Sequence, residues 1–209
     1  MRLRARSPGH SLRILALVAL CGVWACGEAG DERAFVPGEA AREGIAADLE
    51  GIDYEVFITR ELNVFDPEDQ QYYEGPPAPP GTAYYGVFLR ACALEDVEHP
   101  VRTSTDVSVV DIREKLYRPL PLEPDNDWAY RGEILDPGEC LPNQASATSY
   151  GPTGGAMLLF RIPHRNTENR PFVLEIGAPA ASPPGRRAVR GAPSASPPER
   201  RVARFELDL

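Results

Sequence analysis

Residues 82–94 constrain the fold of this chain more than any other stretch, because they are apolar on both faces of an extended strand. Alternate side chains of a strand point to opposite faces, and tyrosine, valine, phenylalanine and leucine all favour strands. A strand of this kind is typical of the centre of a sheet that is covered on both sides. The predicted faces are Tyr85, Val87 and Leu89 on one side, and Tyr84, Phe88 and Cys92 on the other.

Further short apolar stretches predict more strands, and we find no amphipathic helix pattern after the N-terminal segment. An acidic, proline-rich loop is predicted over residues 63–80, because consecutive prolines cannot lie in a central strand. Seven or eight short strands separated by turn signals predict an all-β chain folded as a β-sandwich. Besides 82–94, the candidates are 53–58, 104–113, 156–162 and 171–176, with shorter ones at 115–118, 129–133 and around Cys140.

The C-terminal residues predict one more strand. Ala203, Phe205, Leu207 and Leu209 alternate with polar residues, so we expect 202–209 to be the last strand of the sandwich. The preceding residues 178–201 consist mostly of proline, alanine, serine and arginine. Such a composition cannot bury enough apolar surface to order itself, so this insertion is predicted to be disordered.

The N-terminal residues 1–25 have the layout of an export signal. A basic start is followed by an apolar run over residues 12–25, whereas a membrane span needs about 20 apolar residues. The sequence Val-Trp-Ala-Cys-Gly at 23–27 then resembles the lipobox of bacterial lipoproteins, in which the cysteine is acylated and the chain is cut before it. We therefore predict lipidation of Cys26, followed by a flexible polar tether over 26–50.

Two alternatives to this anchor remain open. Cys21 competes as the lipidation site, although it follows the bulky Leu20. Plain secretion, with cleavage near Ala25 or Ala29, is the other alternative.

The cysteine count also bears on the folded part. If Cys26 is the anchor, Cys21 leaves with the signal, and Cys92 and Cys140 remain. Disulfides persist in exported proteins, so a Cys92–Cys140 bond is predicted, with two buried free thiols as the alternative.

The charge is distributed unevenly along the chain. The formal net charge is −9, which becomes −13 without the four arginines of residues 1–25. Residues 178–201 carry +4, so the remaining body carries −17. A body of that sign repels nucleic acid and anionic lipid headgroups. We therefore predict no nucleic-acid partner and a domain held off the membrane surface.

A family resemblance agrees with these expectations. The stretches 84–89, 108–112, 135–140, 151–160 and 170–176 resemble bacterial lipoprotein domains of unknown function with a telokin-like, immunoglobulin-like fold. The resemblance implies an immunoglobulin-like sandwich over residues 51–177, completed by the final strand, and a location outside the cytoplasm. It implies no activity.

No motif indicates catalysis. Gly-x-Ser-x-Gly is absent, and only His99 and His164 follow residue 25 as candidate bases. The acidic residues Asp66, Glu68 and Asp69 lack the spacing of a calcium loop, as do Asp125 and Asp127. We therefore predict no catalytic residue, no metal and no cofactor.

Tyrosines offer the remaining functional lead. Tyr72 and Tyr73 lie in the acidic proline-rich loop, and tyrosine is favoured at contact surfaces because it combines apolar area with a polar tip. The predicted function is a non-catalytic, membrane-anchored binding module outside the cytoplasm, whose partner is an envelope protein or polymer. The alternative is an exported enzyme or enzyme inhibitor with a site built from scattered carboxylates.

Overall fold

The two-sided apolar stretch forms the longest strand of the structure, a computed structural model that describes residues 40–150, 153–178 and 201–209. The helices of this part of the chain are short: α1 (Pro67–Gln70) and the two 3-10 turns Ala147–Ser149 and His164–Asn166. The strands are β1 (Ala41–Arg42), β2 (Ala46–Leu49), β3 (Ile52–Leu62), β4 (Thr82–Ala93), β5 (Val101–Arg102), β6 (Val107–Val110), β7 (Leu116–Tyr117), β8 (Ile134–Leu135), β9 (Cys140–Leu141), β10 (Ala156–Pro163), β11 (Phe172–Gly177) and β12 (Val202–Leu207).

These strands form two main sheets. The first sheet has the order β1-β12-β11-β6-β7 and the second β10-β4-β3-β2, with β9 also paired to β4. Strands β5 and β8 form a separate pair. The prediction of an all-β sandwich is confirmed. The strand count is higher than predicted because several strands contain only two residues, too few to show an alternating pattern.

The main core lies between the two sheets. Strands β3 and β4 contribute Tyr54, Val87 and Leu89, and the first sheet contributes Leu174 and Phe205, all of them buried. The predicted C-terminal strand is confirmed as β12. It is an interior strand, because it pairs with β11 on one side and with β1 on the other.

A second apolar cluster covers the outer face of the second sheet. Tyr84 and Phe88 of β4 point into it, opposite to Tyr85, Val87 and Leu89. The prediction of a strand covered on both faces is therefore confirmed. Trp128 belongs to this outer cluster and is partly buried there, so it is not a core tryptophan between the sheets.

The tether predicted over 26–50 is wrong for its last part. Strands β1 and β2 belong to the sheets, so the folded domain begins before residue 51. Glu50 and Gly51 have φ values of 55° and 81°, and they join the paired residues Leu49 and Ile52. Two consecutive positive φ values are typical of a type I′ hairpin turn. The hairpin was not predicted from the sequence, because Glu50 occupies the position where asparagine or aspartate is the common turn signal.

Four other predictions concern covalent links or parts of the chain outside this domain. The Cys92–Cys140 disulfide is confirmed and joins the directly paired residues of β4 and β9. The signal, Cys26 and nearly all of the 178–201 insertion lie outside the described residues, so those predictions stay untested. At the ends of the insertion, the Ala178 amide donates to the Arg201 carbonyl (2.9 Å).

Among the residues the structure describes, no helix is long and apolar enough to cross a membrane.

Candidate ligand-binding groove

A groove of about 640 Å³ lies between two loops on the outer side of the second sheet. This volume is within the range of about 300–1,000 Å³ typical of small-molecule sites. The first wall belongs to the β3–β4 loop, and the second belongs to the segment that precedes Ala129. The residues lining the groove are Gln71, Tyr73, Glu74, Gly75, Pro76, Pro121, Leu122, Glu123, Asp125, Asn126, Asp127 and Trp128.

The first wall begins with α1, and the loop's acidic residues hold this helix in place. Asp66 is its N-cap and accepts a hydrogen bond from the Glu68 amide (2.9 Å). Asp69 is buried, accepts from the Asn63 amide (2.8 Å) and forms an ion pair with Arg60. Glu68 also contacts Arg60, at 3.3 Å. These carboxylates therefore have structural partners within the protein, and Arg60 offsets part of the negative charge of Glu68 and Asp69.

Tyr72 anchors this wall to the sheet. Its ring packs edge-on against Phe88 and Trp128, with centroid separations of 4.9 and 4.8 Å. Its hydroxyl is within hydrogen-bonding distance (3.1 Å) of the Thr153 hydroxyl. Only 2% of Tyr72 is exposed. The prediction that Tyr72 belongs to an exposed contact surface is therefore wrong, because the loop folds back and buries its ring.

Tyr73 faces the groove and is partly exposed, so its predicted role in contacts remains a prediction. Its ring packs edge-on against Tyr84, with 5.1 Å between centroids. Gly75 lies so close that a Cβ atom there would be 2.2 Å from the Tyr73 hydroxyl. Burial, together with the neighbouring Tyr84, raises the pKa of Tyr73 to about 12, and the phenol stays neutral at physiological pH.

The second wall is held by Arg131 and Asn126. The guanidinium of Arg131 donates to the carbonyls of Glu123 (2.8 Å), Pro124 (3.0 Å) and Asn126 (3.2 Å). The Asn126 side chain accepts from the Trp128 amide at 2.9 Å. Its amide group also donates to the Tyr72 carbonyl at 2.8 Å, which joins the two walls. These contacts fix the position of the indole at the groove wall.

Four carboxylates line the groove, and all of them are exposed. In the part of the chain that the structure describes, none of the four has a salt bridge within 4.0 Å or a side-chain hydrogen bond, in contrast to the paired Asp69. No group of three or more metal-ligating side chains is found among the described residues. The groove carboxylates are therefore available to a ligand from solution: Glu74, Glu123, Asp125 and Asp127.

The groove chemistry favours a positively charged ligand. Carboxylates attract ammonium and guanidinium groups, and the faces of tyrosine and tryptophan rings attract cations. Tyr73 and Trp128 supply such rings beside the carboxylates. Pro76 and Pro121 restrict the backbone of the walls, which lowers the entropy lost when a ligand binds.

A second groove, of about 420 Å³, is less suited to bind a ligand. Its cation, Arg90, already contacts Glu55 at 2.6 Å and lies 5.3 Å from the Phe57 ring centroid. Tyr150, which is 68% exposed, lines it as well. Because the charge of this groove is satisfied within the protein, the first groove is the better candidate.

Sequence patterns found the groove only in part. Tyr73, Asp125 and Asp127 were all singled out, but nothing in the sequence placed them on opposite walls of one cavity. Asn126 and Arg131 were missed. The signal for Asn126 was the turn-forming run Pro-Asp-Asn-Asp at 124–127. Arg131 carries no sequence signal, because its role depends on three carbonyls that only the folded loop brings together.

Comparisons with known proteins leave the family open. No protein-family model, curated protein or solved structure matches this chain significantly. The resemblance to bacterial lipoprotein domains with an immunoglobulin-like fold therefore stays a prediction.

Proposed function

We propose that this protein is a membrane-anchored, extracytoplasmic binding module that takes up a cationic ligand in the groove between residues 71–76 and 121–128. The anchor in this proposal is lipidated Cys26. The ligand is a lysine- or arginine-bearing segment of an envelope protein. The chain itself would carry out no chemistry on it.

The observation that carries this proposal is one groove that combines two aromatic side chains with four carboxylates, none of which has a salt bridge or side-chain hydrogen bond to any residue the structure describes. An isolated acidic loop on a protein surface is only solvated. In this groove, however, Tyr73 and Trp128 are held in place by Tyr84, Gly75 and Asn126. Rigid aromatic groups are the usual anchors of binding surfaces, because little side-chain entropy is lost on contact.

An exported enzyme with a carboxylate site is the competing function, and the convergence of carboxylates in a polar groove is the observation in its favour. Acid–base catalysis by two carboxyls needs contrasting environments, with one of them in apolar surroundings. All four groove carboxylates face solvent. This favours binding over catalysis.

Intrinsic fluorescence tests the proposal directly. The chain has two tryptophans, Trp24 and Trp128, so Trp24→Phe in the full chain leaves Trp128 as the sole indole. A synthetic peptide of alternating lysine and glycine is expected to change its emission in a saturable manner. The matched peptide of alternating glutamate and glycine is expected to cause no change, because the groove repels it. Recovery of the lysine peptide unaltered supports binding, and its conversion would favour the enzyme.

Charge-neutralising variants separate the groove from the general negative charge. Glu74→Gln, Glu123→Gln and Asp127→Asn together are expected to weaken peptide binding about tenfold. The control removes the same number of exposed carboxylates elsewhere, with Glu95→Gln, Asp96→Asn and Glu98→Gln. If both triple variants weaken binding equally, the attraction is nonspecific and the groove is not the site.

A further inference from the structure

The turn between β6 and β7 exposes two aliphatic side chains. Ile112 is 63% exposed and Leu116 is 48% exposed. Arg113 and Lys115 lie between them in sequence and are exposed as well. Aliphatic side chains next to cations are typical of protein surfaces that enter the headgroup region of a bilayer.

The apolar part of this surface continues across the first sheet. Val110 is paired with Leu116 of β7 on one side and with Val173 of β11 on the other. Directly paired residues have their side chains on the same face of a sheet. Val110 and Val173 are only half-buried, so these three side chains form an aliphatic row on the outer face, with Ile112 in the turn beyond it.

Cations from a second loop join this turn. Asn166 donates to the Tyr117 hydroxyl (2.6 Å), and the Ile112 amide donates to the Asn169 carbonyl (3.3 Å). The loop that contains these asparagines carries Arg165 and Arg170, both exposed.

Four cations of this surface make no ion pair within 4.0 Å to any residue that the structure describes. Three exposed carboxylates, Glu114, Glu168 and Glu206, belong to the same surface, the last because it is directly paired with Val173, and the four cations still exceed them. The unpaired cations are Arg113, Lys115, Arg165 and Arg170. Together with Ile112, Leu116, Val110 and Val173 they are called the hairpin surface below.

A buried carboxylate fixes the shape of the turn. Asp111 is 4% exposed and accepts hydrogen bonds from the amides of Arg113 and Lys115, both at 2.9 Å. It also accepts from the Tyr117 hydroxyl (3.0 Å) and the Asn169 side chain (3.2 Å). These bonds fix the backbone of the turn, in which Ile112 and Arg113 are exposed and the Lys115 ammonium lies 5.3 Å from the Tyr117 ring centroid, so the hairpin surface is preorganised for contact.

We propose that the hairpin surface docks onto an anionic lipid bilayer. Ile112 and Leu116 enter the boundary between headgroups and acyl chains, and the cations contact lipid phosphates. A soluble polyanion would satisfy the cations but leave both aliphatic side chains in water. The charge of −17 on the body does not prevent docking, because salt screens exposed charges beyond about 10 Å. The domain would then lie against the membrane, in contrast to the expectation from its total charge.

Lys115 provides the measurement, because it is the only lysine of the chain. The full chain is incubated with neutral phosphatidylcholine vesicles or with vesicles containing about one third phosphatidylglycerol, and acylation of Lys115 is followed by mass spectrometry. We expect acylation to be at least about fivefold slower with the anionic vesicles, and this protection to disappear at high salt. Equal rates with both vesicles would overturn the proposal. The result does not depend on the groove or on its ligand.

Matched variants test the aliphatic contribution. Ile112→Ser with Leu116→Ser is expected to abolish the protection of Lys115, and Ile45→Ser with Ile134→Ser is expected to preserve it. Ile45 and Ile134 are 43% and 58% exposed, which makes them suitable controls. Protection that survives Ile112→Ser with Leu116→Ser but is lost in Arg113→Gln with Arg165→Gln would indicate a general polyanion surface. That outcome would overturn the assignment to a bilayer.

Discussion

Asn126 donates a hydrogen bond from its side-chain amide to the backbone carbonyl of Tyr72, at 2.8 Å. The two residues are 54 positions apart in sequence, and each belongs to a different wall of the candidate groove. Since the Asn126 side chain also accepts from the Trp128 amide, it determines both the width of the groove and the position of the indole.

Asn126→Ala is therefore expected to destabilise the protein and loosen the groove. Loss of these hydrogen bonds leaves the Tyr72 carbonyl without this donor, which costs about 1–3 kcal/mol in the free energy of unfolding. Urea denaturation measures this cost, and red-shifted Trp128 emission would report the looser groove. Asn143→Ala is the control, because Asn143 accepts from the Ala145 amide (2.9 Å) within a single turn. Equal effects of both variants would contradict a special role for Asn126.

The buried Asp111 carboxylate predicts a stability change in acid. Burial opposes its ionisation, but hydrogen bonds from Lys115, Tyr117, Asn169 and Arg113 outweigh this and hold the pKa of Asp111 below its ordinary value of 3.8. A lowered folded-state pKa stabilises the fold above the ordinary pKa, and that stabilisation is lost as the pH falls through the lowered one.

Asp111→Asn should remove this pH dependence. At neutral pH the variant is expected to lose about 1–3 kcal/mol of unfolding free energy, because an amide places its NH₂ group against donors. The difference from the natural protein should shrink below pH 4. Burial raises the pKa of Asp48, so ionisation of Asp48 destabilises the fold as the pH rises. The variant is therefore compared with the natural protein at each pH, so that the contribution of Asp48 cancels. A difference that stays constant with pH would show that the Asp111 charge is not responsible.

The Cys92–Cys140 disulfide is expected to contribute substantially to stability. It joins residues 48 positions apart, and closing a loop of that length lowers the entropy of the unfolded chain by an amount worth about 4 kcal/mol. Reduction, or Cys92→Ser with Cys140→Ser, should lower the unfolding free energy accordingly in guanidinium titrations. The double variant should no longer respond to a reducing agent, which serves as the internal control.

Phe205 tests whether the C-terminal strand is essential to the sandwich. Its side chain is fully buried between the sheets, so Phe205→Ala is expected to cost about 3–5 kcal/mol in unfolding free energy. The adjacent Arg204 faces outward and contacts Glu175 at 2.9 Å, partly exposed to solvent. Arg204→Ala should therefore cost less than about 1 kcal/mol. Thermal unfolding of both variants distinguishes the two positions.

The proposed lipid anchor has a separate test, which does not depend on the folded domain. Cys26→Ser is expected to release the protein from membranes washed with high salt, which removes docking by the hairpin surface, since no thiol remains at the predicted acylation site. Cys21→Ser is the matched control and should leave the protein membrane-bound. Release by Cys21→Ser alone would show that Cys21, and not Cys26, is the acylated residue.

Sequence patterns predicted the sandwich well where strands are long. The β4 stretch and the alternation of Ala203, Phe205 and Leu207 indicated strands whose buried faces the structure confirms. The β1 strand could not be found in this way. Its two residues pair in parallel with β12, more than 160 positions away, and a strand of that length has no periodicity of its own.

Tyr72 and Tyr73 show the same limit for the candidate site. Both looked alike in a polar loop, but Tyr72 is buried against Phe88 and Trp128, whereas Tyr73 lines the groove. Neighbouring residues of an irregular loop have no fixed alternation, so their burial depends on contacts with distant segments.

The two-sided apolar stretch at 82–94 and the alternating C-terminus by themselves determined that this chain forms sheets with a buried centre, because strand side chains alternate over short distances. The export signal predicted for residues 1–25 and the cysteine count together predicted the Cys92–Cys140 bond. Only the tertiary structure placed β12 inside a sheet, joined Asn126 to Tyr72 across the groove and brought the cations of two loops to the hairpin surface. These relationships depend on long-range packing and on hydrogen bonds between loops, and local sequence patterns do not encode them.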